Sequence, residues 1–282
     1  MKNIDNFILI IGSMKSGTTS LYNYLVQHPQ IASCVHKEPN FFAFDHHWNK
    51  GFEWYSELWE DWDKNKHEIA LEASTNYTKK HSYPYTVERI KYIKSKYKIK
   101  FKFIYLVRNP IKRIESHYTY AMTTNDLINL KKLSEGIDDD LIETSKYARQ
   151  ISEFYKAFSQ DQILMLEFDE LKNTPNKTLW QVCSFLDIEP NYQFRNLDKV
   201  YNPTYSRIMD VPWWIKLKRN KLAKNVSTVF SQKQKEKLRL LIGGRRIERK
   251  FELSTQQKKS IKKLLKEDLE TLKSNYGINL MD

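Results

Sequence analysis

The most constraining stretch of this chain is a short buried run that breaks into a small-residue turn and then a helix. Phe7–Ile11 is continuously apolar, strand-sized and ended by Gly12. Thr18–His28 carries Leu21, Tyr24, Leu25 and His28 at helical spacing, with Pro29 just beyond. Between them lies Gly12-Ser13-Met14-Lys15-Ser16-Gly17. A turn of this make-up, between a buried strand and a helix N-terminus, points successive backbone N–H groups at a bound anion, and the helix dipole assists. The glycines permit close approach, while Thr18, Thr19 and Ser20 offer hydroxyl donors. The bland reading is a strand-to-helix turn that happens to carry Ser and Thr.

The pattern continues along the chain. Ile31–Val35, Glu68–Ala73, Phe101–Val107 and Gln162–Phe168 read as strands. Ser82–Tyr97, Pro110 to about Met122, Ser145–Phe158, Leu171–Leu186 and Ser254–Tyr276 read as helices. Strands alternating with helices predict an α/β, P-loop-like three-layer fold, with a central, mostly parallel sheet flanked by helices. Ligands of such sheets bind at the carboxyl ends of the strands. The whole of 1–282 reads as one domain, with an α/β core over 7–190. The basic segment 191–282 is expected to cover the cofactor and acceptor cleft.

Charge supports that division. Residues 1–200 hold 27 Lys and Arg against 26 Asp and Glu, whereas residues 201–282 hold 20 against 8. Nearly all of the net +13 therefore sits in the C-terminal segment, which suggests an anionic partner or a solvated lysine-rich surface. No apolar run approaches the ~20 residues of a membrane span, and the N-terminus lacks the pattern of a secretory signal. Two cysteines, Cys34 and Cys183, make no disulfide framework, and no Cys/His cluster has zinc spacing. A soluble, cytoplasmic protein without a metal is expected.

The Gly12…Gly17 spacing is similar to the P-loop of nucleotide hydrolases, but Gly-Lys-Ser/Thr is missing. Lys15 precedes the second glycine and Thr18 takes the usual lysine position, which disfavours an ordinary Mg-ATP site. Lys15-Ser16-Gly17-Thr18-Thr19 closely resembles the 5′-phosphosulfate loop of sulfotransferases that use 3′-phosphoadenosine 5′-phosphosulfate (PAPS). Lys37-Glu38-Pro39-Asn40-Phe41-Phe42 resembles a segment of the carbohydrate, heparan-type and bacterial members. Leu71-Glu72-Ala73-Ser74-Thr75-Asn76-Tyr77 looks like their next strand end. Val107-Arg108-Asn109-Pro110, with Arg113, Ser116, His117 and Tyr118, is similar to their 3′-phosphate motif. Leu164–Leu171 resembles their late strand and following helix.

The resemblance, strong over 7–190 and weak beyond, implies a PAPS-dependent sulfotransferase that releases 3′-phosphoadenosine 5′-phosphate (PAP) and needs no metal. It implies cofactor binding by Lys15, Ser16, Gly17, Thr18, Thr19 and Ser20, with Arg108 and Ser116 gripping the 3′-phosphate. Arg245 and Arg246, after Gly243-Gly244, fit a covering loop; the plain alternative is a solvated basic loop. Lys15 is implied at the bridging oxygen, where charge builds during in-line transfer. Glu38 is implied as the general base, with His36 and His117 as possible assistants. Pro39 is expected to hold Glu38 in an extended backbone. One departure weakens a true heparan substrate: heparan-type members often carry Lys where this chain has Ala73.

The implied acceptor is a carbohydrate or glycoconjugate hydroxyl or amine. Two readings compete: a P-loop small-molecule kinase, and a basic nucleic-acid-binding protein. The basic tail has aromatics but no recognised nucleic-acid motif, so no nucleic-acid partner is expected. Tyr147 reads equally as a pocket or a core residue. The His46–Trp62 aromatic stretch either stacks on sugars or packs a small subdomain.

Overall fold

The computed structural model describes residues 2–124, 130, 136–198, 208–209, 237, 240–241, 245–246 and 250–280. The strands are β1 Asn6–Gly12, β2 Ile31–Ser33, β3 Ile69–Ala73, β4 Lys100–Val107 and β5 Ile163–Glu167. All pair in parallel, in the order β2-β3-β1-β4-β5. Helices alternate with them: α1 Thr18–Leu25, α2 Asp45–Trp48, α3 Gly51–Ser56, α4 Thr86–Tyr97, α5 Pro110–Thr124, α6 Asp139–Ser145 and α7 Tyr147–Ala157. After β5 come α8 Phe168–Asn173, α9 Pro175–Leu186 and α10 Thr255–Tyr276, the last preceded by a short antiparallel pair, β6 Ile208–Met209 with β7 Arg245–Arg246. This is the α/β architecture that the alternating pattern predicts.

The alternation of side chains along the strands sorts the core into two unlike layers. Ile8, Ile10, Leu71, Ile104 and Leu106 face Leu21 and Leu25 of α1 and Leu179 and Val182 of α9. On the other face Phe7 packs against Phe52, Tyr55, Trp59 and Phe101, and Phe103 against Phe154 and Phe158. Both faces are covered, so β1 is apolar from Phe7 to Ile11 rather than alternating. Each fully buried aromatic contributes about 1.5–3 kcal/mol of burial free energy.

Two details differ from the sequence expectation. Leu171–Leu186 is two helices rather than one. Pro175 has no N–H to continue α8, and it takes the first turn of α9 instead. The second strand stops at Ser33, because Val35 N–H leaves the ladder to donate to Leu58 O.

The chain divides into two compact units, Met1–Arg113 with Asp140–Asn202 and Ile261–Asp282, and Ile114–Asp139 with Pro203–Ser260. The sheet belongs to the first. In the second, Glu115 accepts from Leu253 N–H and pairs with Lys258 at 3.3 Å, while Tyr118 packs on Phe251. No helix among the described residues is long and apolar enough to cross a membrane.

Candidate active site

The loop leaving β1 is shaped by its two glycines. A Cβ on Gly12 would lie 2.7 Å from Thr78 Oγ1 and 2.8 Å from Tyr105 Cε2. Gly17 has φ +89°, and a Cβ there would lie 2.7 Å from Phe168 Cδ2. Larger residues are therefore excluded at both ends of the turn. Between them Ser13 N–H donates to Leu106 O at 2.7 Å, and the Ser13 and Ser16 hydroxyls lie 2.6 Å apart. Gly17 caps α1 without a side-chain hydrogen bond, and no acidic residue sits in the first turn. The helix thus offers its N-terminal amides and dipole to an anion rather than to a cap of its own. Ser16 and Thr18 are buried, whereas Lys15, Thr19 and Ser20 are half-buried.

The end of β4 locks onto this loop. Arg108 Nη1 donates to Lys15 O at 3.1 Å, and its guanidinium lies 4.4 Å from the Phe168 ring centroid. Phe168 therefore underlies both Gly17 and Arg108. Tyr147, fully buried at the start of α7, donates to Arg108 O at 2.8 Å. It braces the end of β4 from within the core.

Two cations lie near this framework without a carboxylate bound to them. Arg113 is wholly buried, and its Nε and Nη2 donate to Ser145 Oγ at 2.9 and 2.7 Å. Its Nη1 has no hydrogen-bond partner among the described residues. Burial pulls the Arg113 guanidinium below its ordinary pKa. Lys79 is half-buried, with Nζ 4.0 Å from Met14 Sδ in the loop, and has no ion pair among the described residues. Burial pulls its pKa down too; Asp140, Arg113 and Glu38 are the charges acting on it. Positive charge removed from water calls for an opposite charge nearby. A bound anion would supply it.

Glu38 lies beyond β2, at the same carboxyl end of the sheet. Its Oε1 is 2.8 Å from Lys37 Nζ, and its side chain is 35% exposed. The carboxylate thus carries its neighbour's ammonium yet stays accessible. Its backbone is not extended: Glu38 has φ +63° and Asn40 φ +49°. The loop's own hydrogen bonds outweigh the preference set by Pro39. Asn40 Nδ2 donates to Glu38 O at 2.8 Å, and Asn40 N–H to Ser74 Oγ at 3.0 Å.

Behind that loop sits Glu72, a fully buried carboxyl one residue from the carboxyl end of β3. Tyr55 and Tyr77 each donate to Oε1 at 2.7 Å, and Ser74 donates to Oε2 at 2.6 Å. Burial pushes the carboxyl up to about 7, against three hydroxyl bonds that favour the ionised form. Between its ordinary 4.5 and about 7, the folded chain therefore holds a proton that the unfolded chain has lost. Stability from this group falls as pH rises through that window, by on the order of 3 kcal/mol. Urea midpoints at pH 5 and pH 8 should show a larger alkaline loss for wild type than for Glu72→Gln.

The other expected residues lie on the following elements. Ser116 and His117 are half-buried on α5 within the second compact unit, and His36 is exposed. Arg245 and Arg246 form β7; Gly243 and Gly244 lie outside the described residues. In the aromatic stretch Trp59 is fully buried and packs edge-on against Phe7, so it belongs to the core. Trp54 is partly exposed, with Lys50 4.3 Å above its ring.

Sequence reasoning passed over Phe168 and the buried role of Glu72, and gave Lys79 no role. A charged residue inside the apolar run Ile69–Ala73 was a readable signal for Glu72. Nothing local marks Lys79.

A sequence model described as "Sulfotransferase domain" matches residues 5–273, so the chain belongs to the sulfotransferase family. It is 30% identical over 207 residues to mouse bifunctional heparan sulfate N-deacetylase/N-sulfotransferase 1, covering 66% of this chain and 23% of that protein. It is 27% identical over 190 residues to mouse heparan sulfate glucosamine 3-O-sulfotransferase 3B1, covering 64% of this chain and 46% of that one. The chain thus spans about a quarter to a half of these relatives' lengths. The crystal structure of a sulfotransferase from Alicyclobacillus acidocaldarius shares the fold, with TM-score 0.62 and 17% identity over 99% of this chain and 98% of that one.

Proposed function

We propose that this protein moves the sulfuryl group from PAPS to a hydroxyl or amine of a carbohydrate or glycoconjugate. The observation that carries the reading is a phosphate-type loop beside cations that lack carboxylate partners, with an accessible carboxylate at the same sheet end. Lys79 lies against the loop, its Nζ 4.0 Å from Met14 Sδ. The heparan sulfate relatives support the acceptor class.

In this reading Ser16, Gly17, Thr18, Thr19 and Ser20 hold the 5′ anion through loop amides and hydroxyls. Arg108 and Ser116 hold the 3′-phosphate, and Arg245 and Arg246 cover the nucleotide. PAPS supplies an activated sulfuryl group when bound. As the acceptor oxygen or nitrogen bonds to sulfur, Glu38 takes its proton and the bridging S–O bond breaks toward Lys15. We place this chemistry in a single domain working in the cytoplasm, where two buried free thiols would persist; burial raises Cys34 to about 12 and Cys183 to about 11.

Ligand-dependent melting tests the reading. Adenosine 3′,5′-bisphosphate should raise the Tm and ATP should not. Stabilisation by ATP alone would return the kinase reading, and salt-sensitive DNA retention alone the nucleic-acid reading.

Arg108→Ala should weaken binding of adenosine 3′,5′-bisphosphate about tenfold to hundredfold, the scale of a lost charged hydrogen bond. Binding of the 5′-monophosphate should weaken less, because there only the Arg108 bond to Lys15 O is lost, and turnover at saturation should fall only as far as that bond holds the loop. Calorimetry with the two nucleotides checks this; equal losses would remove Arg108 from the 3′-phosphate.

A further inference from the structure

Glu72 occupies a position where an apolar residue would pack without penalty. A carboxyl in such a place persists only when its hydrogen bonds are complete, so what it holds matters. Each of its hydroxyl donors has one hydrogen. Ser74 spends that hydrogen on Glu72 Oε2 at 2.6 Å, which leaves its lone pairs to face Asn40 N–H at 3.0 Å. Tyr77 spends its hydrogen on Oε1 at 2.7 Å, which leaves its oxygen to face Phe42 N–H at 3.5 Å. Two consecutive anchor points of the segment after Glu38 are thus held by hydroxyls whose direction the Glu72 carboxylate sets.

That segment needs holding. Glu38 and Asn40 both have left-handed backbones, which side-chain-bearing residues adopt only when their surroundings over-determine them. Asn40 ties the relay to the candidate base through Nδ2 and Glu38 O at 2.8 Å, and Asn76 Nδ2 fixes Asn40 Oδ1 at 3.1 Å. The chain of contacts therefore runs from a buried carboxyl in β3 to the backbone of Glu38.

We propose that Glu72 is a positioning residue for Glu38, acting through the hydroxyls of Ser74 and Tyr77 on the backbone of residues 40–42. The proposal rests on Glu38 being the base. With an ionised Glu72 all three hydroxyls donate inward and the loop amides find lone pairs. With Glu72 protonated, or replaced by Gln, one of the three hydroxyls must turn to accept a hydrogen, and where that is Ser74 or Tyr77 its oxygen divides its lone pairs between residue 72 and the loop amide. The titratable groups around Glu72 are Tyr22, Cys34, Glu38, Tyr55 and Tyr77. Burial raises the tyrosines and Cys34 out of the neutral range, which leaves Glu72 to titrate near pH 7.

The test uses the full chain and two readouts. Amide exchange of residues 38–42, corrected for intrinsic rates, should show protection rising through about pH 7 in wild type and no such step in Glu72→Gln. Sulfuryl transfer from PAPS to a fully desulfated glycosaminoglycan should fall tenfold to hundredfold in Glu72→Gln, the range for a reacting group displaced by ~1 Å. Affinity for adenosine 3′,5′-bisphosphate should stay within about twofold of wild type. Ser74→Ala, which keeps the carboxyl and cuts one relay arm, gives a second route if Glu72→Gln folds poorly. It should lower protection at Asn40 and lower transfer in the same direction. An unchanged pH step in Glu72→Gln, or unchanged Asn40 protection in Ser74→Ala, would overturn the proposal. Normal transfer in Glu38→Gln would instead overturn the base assignment, which separates the two failures.

Discussion

Lys15→Ala is expected to lower turnover by two to three orders of magnitude while the protein still folds and binds adenosine 3′,5′-bisphosphate. The size follows from removing one charge contact made in the transition state, commonly worth ~3–4 kcal/mol. The substitution isolates the ammonium. Lys15 already has φ +71°, a strain that alanine shares with lysine, so the backbone preference changes little. The contact that locks the loop to β4 uses the Lys15 carbonyl rather than its side chain, and it survives the change. Single-turnover assays with saturating PAPS check the result. Turnover near wild type would remove Lys15 from the mechanism.

Glu38→Gln is expected to abolish transfer to a comparable degree, because a positioned general base contributes ~10²–10⁴-fold. A neutral hydroxyl attacks sulfur poorly unless its proton is taken as the bond forms. Glutamine keeps the shape and hydrogen-bonding reach of the side chain but has no useful proton affinity. It also loses the ion pair with Lys37, a half-exposed contact worth at most about 1 kcal/mol. Folding should therefore survive, and calorimetry with adenosine 3′,5′-bisphosphate should give wild-type affinity. If transfer persists at a near-normal rate, His36 and His117 become the groups to replace.

Much of this arrangement was legible in the sequence, and the reasons are local. The β1 run, Gly12, Gly17 and the first turn of α1 are contiguous, and their chemistry depends on spacing alone. Arg108 was readable because Pro110 opens a helix directly after a buried strand. What could not be read depends on residues distant in sequence meeting in space. Gly17 needs its missing Cβ because Phe168 packs there, and Phe168 comes from the far end of β5. The Glu38 backbone defied the local rule for a residue before proline because Ser74, from another strand end, holds Asn40 in place. Lys79 carries no motif, and its position against Met14 emerges only when β3 lies beside β1. The same holds for Glu72, whose hydroxyl donors come from α3 and from the turn after β3.

In the aromatic stretch, where stacking and packing were both open, part of the answer is a packing demand. Phe7 on β1 offers a large apolar face, and Phe52, Tyr55 and Trp59 close over it. Helix α3 is therefore shaped by the sheet it covers. Trp54, outside that cluster, keeps partial exposure, with Lys50 over its ring.

Sulfuryl transfer from PAPS can be followed atom by atom. The most direct measurement follows PAPS labelled in its sulfate, incubated with the full chain and a panel of desulfated glycans bearing free hydroxyls and amines. The account predicts labelled sulfate on an acceptor oxygen or nitrogen, an equal amount of adenosine 3′,5′-bisphosphate released, and loss of both in Lys15→Ala. Phosphate appearing on an acceptor from ATP, with PAPS left intact beside every acceptor, would contradict it.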